Sequence, residues 1–251
     1  MLALDPESLM KKAVCAAGGR CVRDLVGPNP TFDNADCVFP SDNVVGEVKS
    51  LEKDFLNDPT VHEKIHVLYN RWVDAGKDVP IIYGQRILRT DQIPVECSRE
   101  LIGIFKDKLE GSFLWKANRQ IRETKKNLNY PDALGLLLLS NEGNFVFDPE
   151  MVAHVLFHSL GSKFSSIEHV ILFSANLRFV ASATTSGGPP FMSIDFPNRR
   201  QPTDEFLHKL GSRWYEVLGA ATGKTLPSFQ IFRSIPADIA RLRFERGILL
   251  Q

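Results

Sequence analysis

The sequence predicts a single domain of the α/β class, in which helices flank a mixed central sheet. Three observations support this prediction: a capped helix near the N-terminus, two short apolar strands joined by a tight polar turn, and a leucine-rich run that follows a long amphipathic helix. The chain of 251 residues, with 43% hydrophobic and 24% charged residues, is long enough to bury a substantial core.

The first helix is predicted to begin at Asp5-Pro6-Glu7, because proline is favoured at the first helical position and an acid suits the first turn. It should run to about Cys15 and end at Gly18-Gly19. Residues 22–26 are expected to form a strand or part of a loop. Two strands then follow, the first opened by Asp36 and ending at Phe39 and the second at 44–51, with Pro40-Ser41-Asp42-Asn43 as the turn between them.

The middle of the chain, residues 52–111, is predicted to be a mostly helical insertion. Asp58-Pro59 should cap a helix whose apolar residues recur at helical spacing, namely Val61, Ile65, Leu68 and Trp72. A short strand is expected at 79–83, and Ser98 should open a further helix that ends near Leu109.

A long helix at 113–128 and a buried strand at 134–139 complete the predicted core, which therefore comprises about 5–51 and 112–141. Residues 142–251 are predicted to form an α/β extension of the same single domain. Its expected elements are a helix at 148–160, a hairpin at 167–175 and 178–183, a strand at 192–196 and a helix at 203–218.

The residues best suited to catalysis or metal binding lie in the two short strands. Alternate side chains of a strand face the same side, so Glu47 and Lys49 should point together, and the hairpin can bring Asp36 beside them. The residues around them are apolar: Val44, Val45, Val48 and Leu51. Buried charges need a partner or a metal, and two carboxylates with a lysine can hold a divalent cation and activate a water. The alternative is a solvated strand face with a weak ion pair.

The helix at 113–128 carries the second informative pattern. Its buried stripe is predicted to be Leu114, Ala117, Ile121, Thr124 and Leu128, and Gln120 lies at the edge of that stripe. The other face has one acid and five basic residues: Lys116, Arg119, Arg122, Lys125 and Lys126. Such a face is either solvated surface or, beside a phosphodiester site, a set of phosphate contacts that bind nucleic acid without sequence preference.

The pattern of Asp36, about ten residues, then Glu47-Val48-Lys49 resembles the PD-(D/E)XK, or restriction-endonuclease-like, nuclease superfamily. The resemblance covers roughly residues 5–141, and Ala35 stands where many members have proline. It implies a core of helix, three strands, helix and strand, and a metal-dependent hydrolase of phosphodiester bonds, preferentially in DNA. The biological setting that it implies is repair, restriction or defence against phage.

The resemblance also assigns roles to residues. Asp36, Glu47 and the carbonyl of Val48 would hold Mg²⁺ or Mn²⁺, Lys49 would steer or help to deprotonate the attacking water, and Gln120 would orient Lys49 or the water. Lys116, Arg119, Arg122 and Lys126 are the expected nucleic-acid contacts. Two alternatives remain open: a nucleic-acid-binding member of the same fold without turnover, and a protein-interaction module in which Glu47 and Lys49 form a structural ion pair.

Composition restricts the partners and the cellular location that we expect for the protein. The formal net charge is zero, so nucleic-acid contacts must come from a local patch. No apolar run approaches the length of a membrane span, and the first residues lack a signal-peptide pattern, so we expect a cytoplasmic protein without membrane contact. The four cysteines lack the paired short spacing of a zinc ribbon. A homo-oligomer or a partner subunit is left open by the sequence.

Overall fold

The structure, a computed structural model, describes residues 4–80, 86–88, 93–143, 149–161, 163–176, 191–196, 198–234 and 248–250. Within these ranges the protein is a mixed α/β structure, which confirms the predicted fold class. The main sheet has seven described strands: β1 (Arg20–Cys21), β2 (Cys37–Phe39), β3 (Val44–Leu51), β5 (Leu134–Asn141), β6 (His169–Phe173), β7 (Phe191–Ile194) and β8 (Phe232–Ser234). Two further strands, β4 (Arg86–Leu88) and β9 (Ile248–Leu250), pair antiparallel with each other.

The main sheet has the order β1-β2-β3-β5-β6-β7-β8. Its centre is parallel, with β5 between β3 and β6, whereas β2 pairs antiparallel with β3 and β7 pairs antiparallel with β6. Every residue of β5 is buried, as its leucine-rich sequence predicts for a central strand. The predicted hairpin is also present, because Pro40–Asp42 forms a 3₁₀ turn and Asn43 adopts a left-handed conformation before β3.

Seven α-helices are described: α1 (Pro6–Ala16), α2 (Val22–Val26), α3 (Pro59–Asp74), α4 (Val95–Leu109), α5 (Trp115–Asn127), α6 (Pro149–Leu160) and α7 (Asp204–Thr222). A π-helical turn at Glu110–Leu114 joins α4 to α5. The prediction of a strand or loop at 22–26 is wrong, since these residues form α2. This single helical turn buries only Val22 and ends at Gly27, whose positive φ of 81° suits glycine.

Helices cover the two faces of the main sheet and fix the direction of its side chains. One core cluster joins α1 and α7 to the even-numbered residues of β3 and β5, including Val44, Val48 and Leu136. Alternation therefore turns Glu47 and Lys49 to the opposite face, where α5 packs on β3 and β5.

The chain divides into two compact units. The first comprises residues 1–51, 113–142 and 163–235, and it contains the main sheet with α1, α5 and α7. The second comprises residues 52–112, 143–162 and 236–251, so its described helices are α3, α4 and α6. In the second unit, α3 and α4 pack together, and the indole of Trp72 on α3 donates a hydrogen bond to Glu100 on α4.

Some predicted elements fall on residues outside the described ranges. The second strand of the hairpin, at 178–183, lies wholly there, and the strand at 79–83 lies partly there. Among the described helices, none combines the length and the apolar character that a bilayer span requires.

Buried His169 on β6 should make the protein sensitive to acid. Its Nε2 lies 2.9 Å from Ser193 Oγ on β7, and burial lowers its pKa from 6.5 to about 4. Between these pH values the unfolded chain binds a proton that the folded protein does not, so stability falls as the pH drops from 6.5 towards 4.

We expect this one residue to account for about 3 kcal/mol of that loss. Urea denaturation at pH 7 and at pH 4.5 tests it, because His169→Gln should lose less stability than the wild type over this interval. An equal loss in both proteins would show that other groups cause the acid sensitivity.

Candidate functional site

Glu47 is the most deeply buried charged residue of the predicted site. Its side chain, 1% exposed, accepts a hydrogen bond on Oε1 from the ammonium of Lys49. Its second oxygen, Oε2, is buried and accepts no hydrogen bond from the described residues. Burial, and after it the nearby carboxyl of Asp36, raise the pKa of Glu47 from 4.5 to about 8, although Lys49 opposes the shift.

Asp36 lies immediately before β2 and reaches across to β3. Its Oδ2 accepts a hydrogen bond of 3.0 Å from the backbone N–H of Val48, and its Oδ1 lies 3.3 Å from the ammonium of Lys11 on α1. The carboxyls of Asp36 and Glu47 are within hydrogen-bonding reach of each other. The structure therefore brings the two predicted carboxyl ligands together at the open end of the hairpin.

The two other aspartates near the motif have different partners. Asp33 forms an ion pair of 2.7 Å with Arg119, and Asp42 forms one of 2.7 Å with Lys209 on α7. Each pair occupies its carboxylate away from Glu47. Asp36 is thus the upstream carboxylate that the geometry favours.

Lys49 and Gln120 contact each other, as the resemblance implies. The Lys49 ammonium donates to Gln120 Oε1 at 3.1 Å, and Gln120 Nε2 donates to the Asn34 carbonyl at 2.8 Å. An ammonium has three N–H donors, and Glu47 and Gln120 use two of those of Lys49. The Lys49 side chain is 18% exposed, so its remaining donor can reach a group that enters from solvent.

Two residues of α1 belong to the site and were missed from the sequence. Lys11 pairs with Asp36. Glu7 is half-buried and lies near Asp36, and its burial, followed by the charge of Asp36, raises its pKa above the usual value. Their spacing of four residues is that of an ordinary solvated Glu–Lys pair on a helix, so the local sequence carries no signal of their role.

The basic face of α5 is partly neutralised by acids. Arg119 pairs with Asp33, Arg122 pairs with its neighbour Glu123, and Lys125 pairs with Glu168 at 2.9 Å. The Lys125 contact is structural, because Glu168 also accepts the N–H of Gly135 on β5. Lys116 and Lys126 are exposed on the same helix, and together with the exposed Arg119 and Arg122 they present a cationic surface.

The chemistry of the donor set fits a hard divalent cation. No group of three or more His, Cys, Asp and Glu side chains suited to a metal occurs within the described ranges. The set here is different: two carboxyls, one with a buried oxygen that lacks a donor, and the backbone around Val48. Oxygen ligands of this kind are those that Mg²⁺ and Mn²⁺ prefer, and Mg²⁺ commonly takes only one or two carboxylates.

Comparisons of the chain with protein-family models, with curated proteins and with solved structures find no match. The chemistry of the site must therefore support any functional assignment. That chemistry is a cluster of opposite charges, Asp36 and Glu47 against Lys11 and Lys49, beside a helix that presents further cations.

Without metal, the burial of Glu47 should make the protein less stable at alkaline pH. The folded protein holds a proton on Glu47 up to about pH 8, whereas the unfolded chain releases it near pH 4.5. The stabilisation is therefore complete below pH 4.5 and is lost as the pH rises through 8. We expect Glu47→Gln to be more stable than the wild type at pH 9 by on the order of a few kcal/mol.

Urea denaturation in EDTA at pH 6 and at pH 9 measures this difference. Glu168→Gln is the matched control: burial opposes the shift, but hydrogen bonds from Arg200 and Lys125 hold the pKa of Glu168 below its usual value. That variant should be less stable than the wild type at both pH values. If Glu47→Gln showed the same pH dependence of stability as the wild type, the raised pKa of Glu47 would not be the cause of the loss at alkaline pH.

Proposed function

We propose that this protein is a metal-dependent nuclease that hydrolyses phosphodiester bonds, with DNA as the preferred substrate. The observation that carries the proposal is the buried Glu47 carboxyl, which lies between Asp36 and Lys49 and has one oxygen that no described residue supplies with a donor. A buried carboxyl costs stability unless it is compensated, so its presence at the sheet centre is better explained by function than by folding.

The order of elements supports the same proposal. Helix α1, strands β1, β2 and β3, helix α5 and strand β5 occur in the order of the PD-(D/E)XK core, with the short helix α2 between β1 and β2 and residues 52–112 inserted before α5. The three polar side chains of the motif, Asp36, Glu47 and Lys49, lie together at one end of that arrangement, with Gln120 in contact with Lys49.

Asp36, Glu47 and the Val48 carbonyl would hold Mg²⁺ or Mn²⁺. A divalent ion held there supplies Lewis-acid activation of a water and offsets negative charge on the phosphate. The water oxygen adds to phosphorus, the bond from phosphorus to the leaving oxygen breaks, and the proton of the water passes to solvent or a neighbouring base. Lys49, fixed by Glu47 and Gln120, directs its remaining N–H towards the water or the phosphate.

One observation favours a second candidate, a nucleic-acid-binding member without turnover. Both carboxyls already have an ammonium partner, Lys11 for Asp36 and Lys49 for Glu47, so neither depends on a metal for a cationic neighbour. In the catalytic protein Lys11, which is 41% exposed, must release Asp36 when the ion binds. Lys11→Met should then bind Mn²⁺ more tightly than the wild type, whereas in the second candidate neither protein binds it.

Cleavage of nucleic acid is the direct test. With Mg²⁺ or Mn²⁺ the protein should cleave DNA, and Asp36→Asn, Glu47→Gln and Lys49→Met should each lower the rate by roughly two orders of magnitude or more. Asp42→Asn and Lys209→Met are matched controls, because they remove the same charges from an ion pair outside the site and should retain activity.

The four variants other than Glu47→Gln should stay within about 2 kcal/mol of the wild-type stability at pH 7. Glu47→Gln should be more stable than the wild type there, because the unfolded wild-type chain has already released the proton that folded Glu47 retains. Substrates should include single-stranded, duplex, linear and circular DNA and RNA. No cleavage by the wild type with any of them, or full activity in the three site variants, would refute the catalytic proposal.

Substrate affinity should depend on the cations of α5. Among the described residues, Lys116 and Lys126 have no acidic partner comparable to those of Arg119 and Arg122. We therefore expect Lys116→Ala with Lys126→Ala to weaken binding more than the two arginine replacements together. Each lost phosphate contact should flatten the salt dependence by about 0.9 log unit for duplex DNA and about 0.7 for single strands.

Titrations of labelled DNA at several salt concentrations, in Ca²⁺ or with Glu47→Gln to prevent cleavage, give these slopes. Lys12→Ala with Lys224→Ala serves as a control for loss of two lysines elsewhere. A slope unchanged in the Lys116 and Lys126 double variant would show that this surface does not contact the phosphates.

A further inference from the structure

The pairing of β2 with β3 stops before the site. Its last pair is Cys37 with Gly46, and the same register continued by two residues would place Ala35 opposite Val48. In an antiparallel ladder these two would exchange backbone hydrogen bonds. Instead, the Ala35 N–H donates to Thr124 Oγ1 at 2.7 Å, and the Val48 N–H donates to Asp36 Oδ2 at 3.0 Å.

Helix α5 holds the peptide group between Asn34 and Ala35 at both of its polar ends. Gln120 Nε2 donates to the Asn34 carbonyl at 2.8 Å, and Thr124 Oγ1, one helical turn later, accepts the Ala35 N–H. The Thr124 side chain is fully buried, so water does not compete for the Ala35 N–H. This peptide group is therefore turned to the helix and away from β3.

The consequence falls on the Val48 carbonyl. In an extended strand the N–H and C=O of one residue point to the same side, and the Val48 N–H points towards Asp36. The Val48 carbonyl then also points to the β2 side. The Ala35 N–H, its partner in a continued ladder, is already bound by Thr124.

We infer that Thr124 is a positioning residue that keeps the Val48 carbonyl out of the β2–β3 ladder and so leaves it free as an oxygen ligand for a divalent cation. The inference rests on the proposed function, because it concerns the same metal site. It assigns to α5 a role beyond packing and beyond the contact of Gln120 with Lys49.

A hydroxyl is required at position 124 for this role. Valine has the shape of threonine but accepts no hydrogen bond, so Thr124→Val removes the acceptor of the Ala35 N–H. The Val48 carbonyl is the acceptor that a continued β2–β3 register would offer in its place. Serine keeps the hydroxyl, so Thr124→Ser preserves the contact and is the matched control.

The test measures Mn²⁺ affinity by calorimetry and the structure of the metal-free variant. Thr124→Val should bind Mn²⁺ about tenfold more weakly or worse, whereas Thr124→Ser should stay close to the wild type. The metal-free crystal structure of Thr124→Val should place the Ala35 nitrogen at about 3 Å from the Val48 oxygen. Activity should recover at high Mn²⁺, because the loss is in metal binding and the residues around the water are unchanged.

Equal Mn²⁺ affinity in the wild type and Thr124→Val would overturn the inference and leave the proposed nuclease intact. An open ladder in the variant's structure would also overturn it. A wild type that binds no Mn²⁺ would refute both the inference and the proposed function. If Thr124→Val does not fold, Thr124→Ala replaces it, with the same expected loss of affinity and the same contradicting result.

Discussion

Glu47 places a carboxyl group on strand β3, where it is almost fully buried, and the polar groups around it compensate for that burial only in part. Lys49 neutralises one oxygen, and Asp36 brings a second carboxyl that makes ionisation harder. A folded protein gains nothing from two carboxyls in this setting, since apolar residues of similar size would be more stable there. The buried carboxyl therefore lowers the stability of the sheet, and the divalent cation of the proposed function would offset that loss.

Helix α5 is the element that holds the residues around Glu47 in place. Its buried side carries polar residues among apolar ones: Asn118 accepts the N–H of Ser166, Gln120 holds Lys49, and Thr124 holds Ala35. Glu168 anchors the same helix to the sheet, through Lys125 and the Gly135 N–H. Gly135 permits the close approach of the segment before β6, because a Cβ at this position would overlap the carbonyl of Ser166. Small shifts of α5 would therefore move the ammonium of Lys49 and the backbone before β2 together.

Local sequence rules predicted the hairpin, the shared face of Glu47 and Lys49, and the buried stripe of α5, because each depends on the two- or 3.6-residue period of one element. They did not predict Lys11 or Glu7, whose approach to Asp36 depends on how α1 crosses the sheet. Thr124 was predicted as buried, but its role depends on Ala35, which lies 89 residues away in sequence. Contacts of that separation follow from the assembled sheet and leave no periodic signal.

The pairing of β3 with β5 has a consequence for how the protein folds. Eight consecutive residue pairs join these strands, beginning with Val44 and Leu134, and the whole of residues 52–112 lies between them in the chain. Closing so long a loop costs entropy before the contacts form, and topologies dominated by such contacts fold slowly. The hairpin that carries Asp36 and Glu47 is local and forms without this step, whereas α5 packs on both β3 and β5, so its contacts with the hairpin also span residues 52–112. If the protein binds metal as proposed, metal affinity should therefore appear during refolding only with the slow, long-range assembly of the sheet.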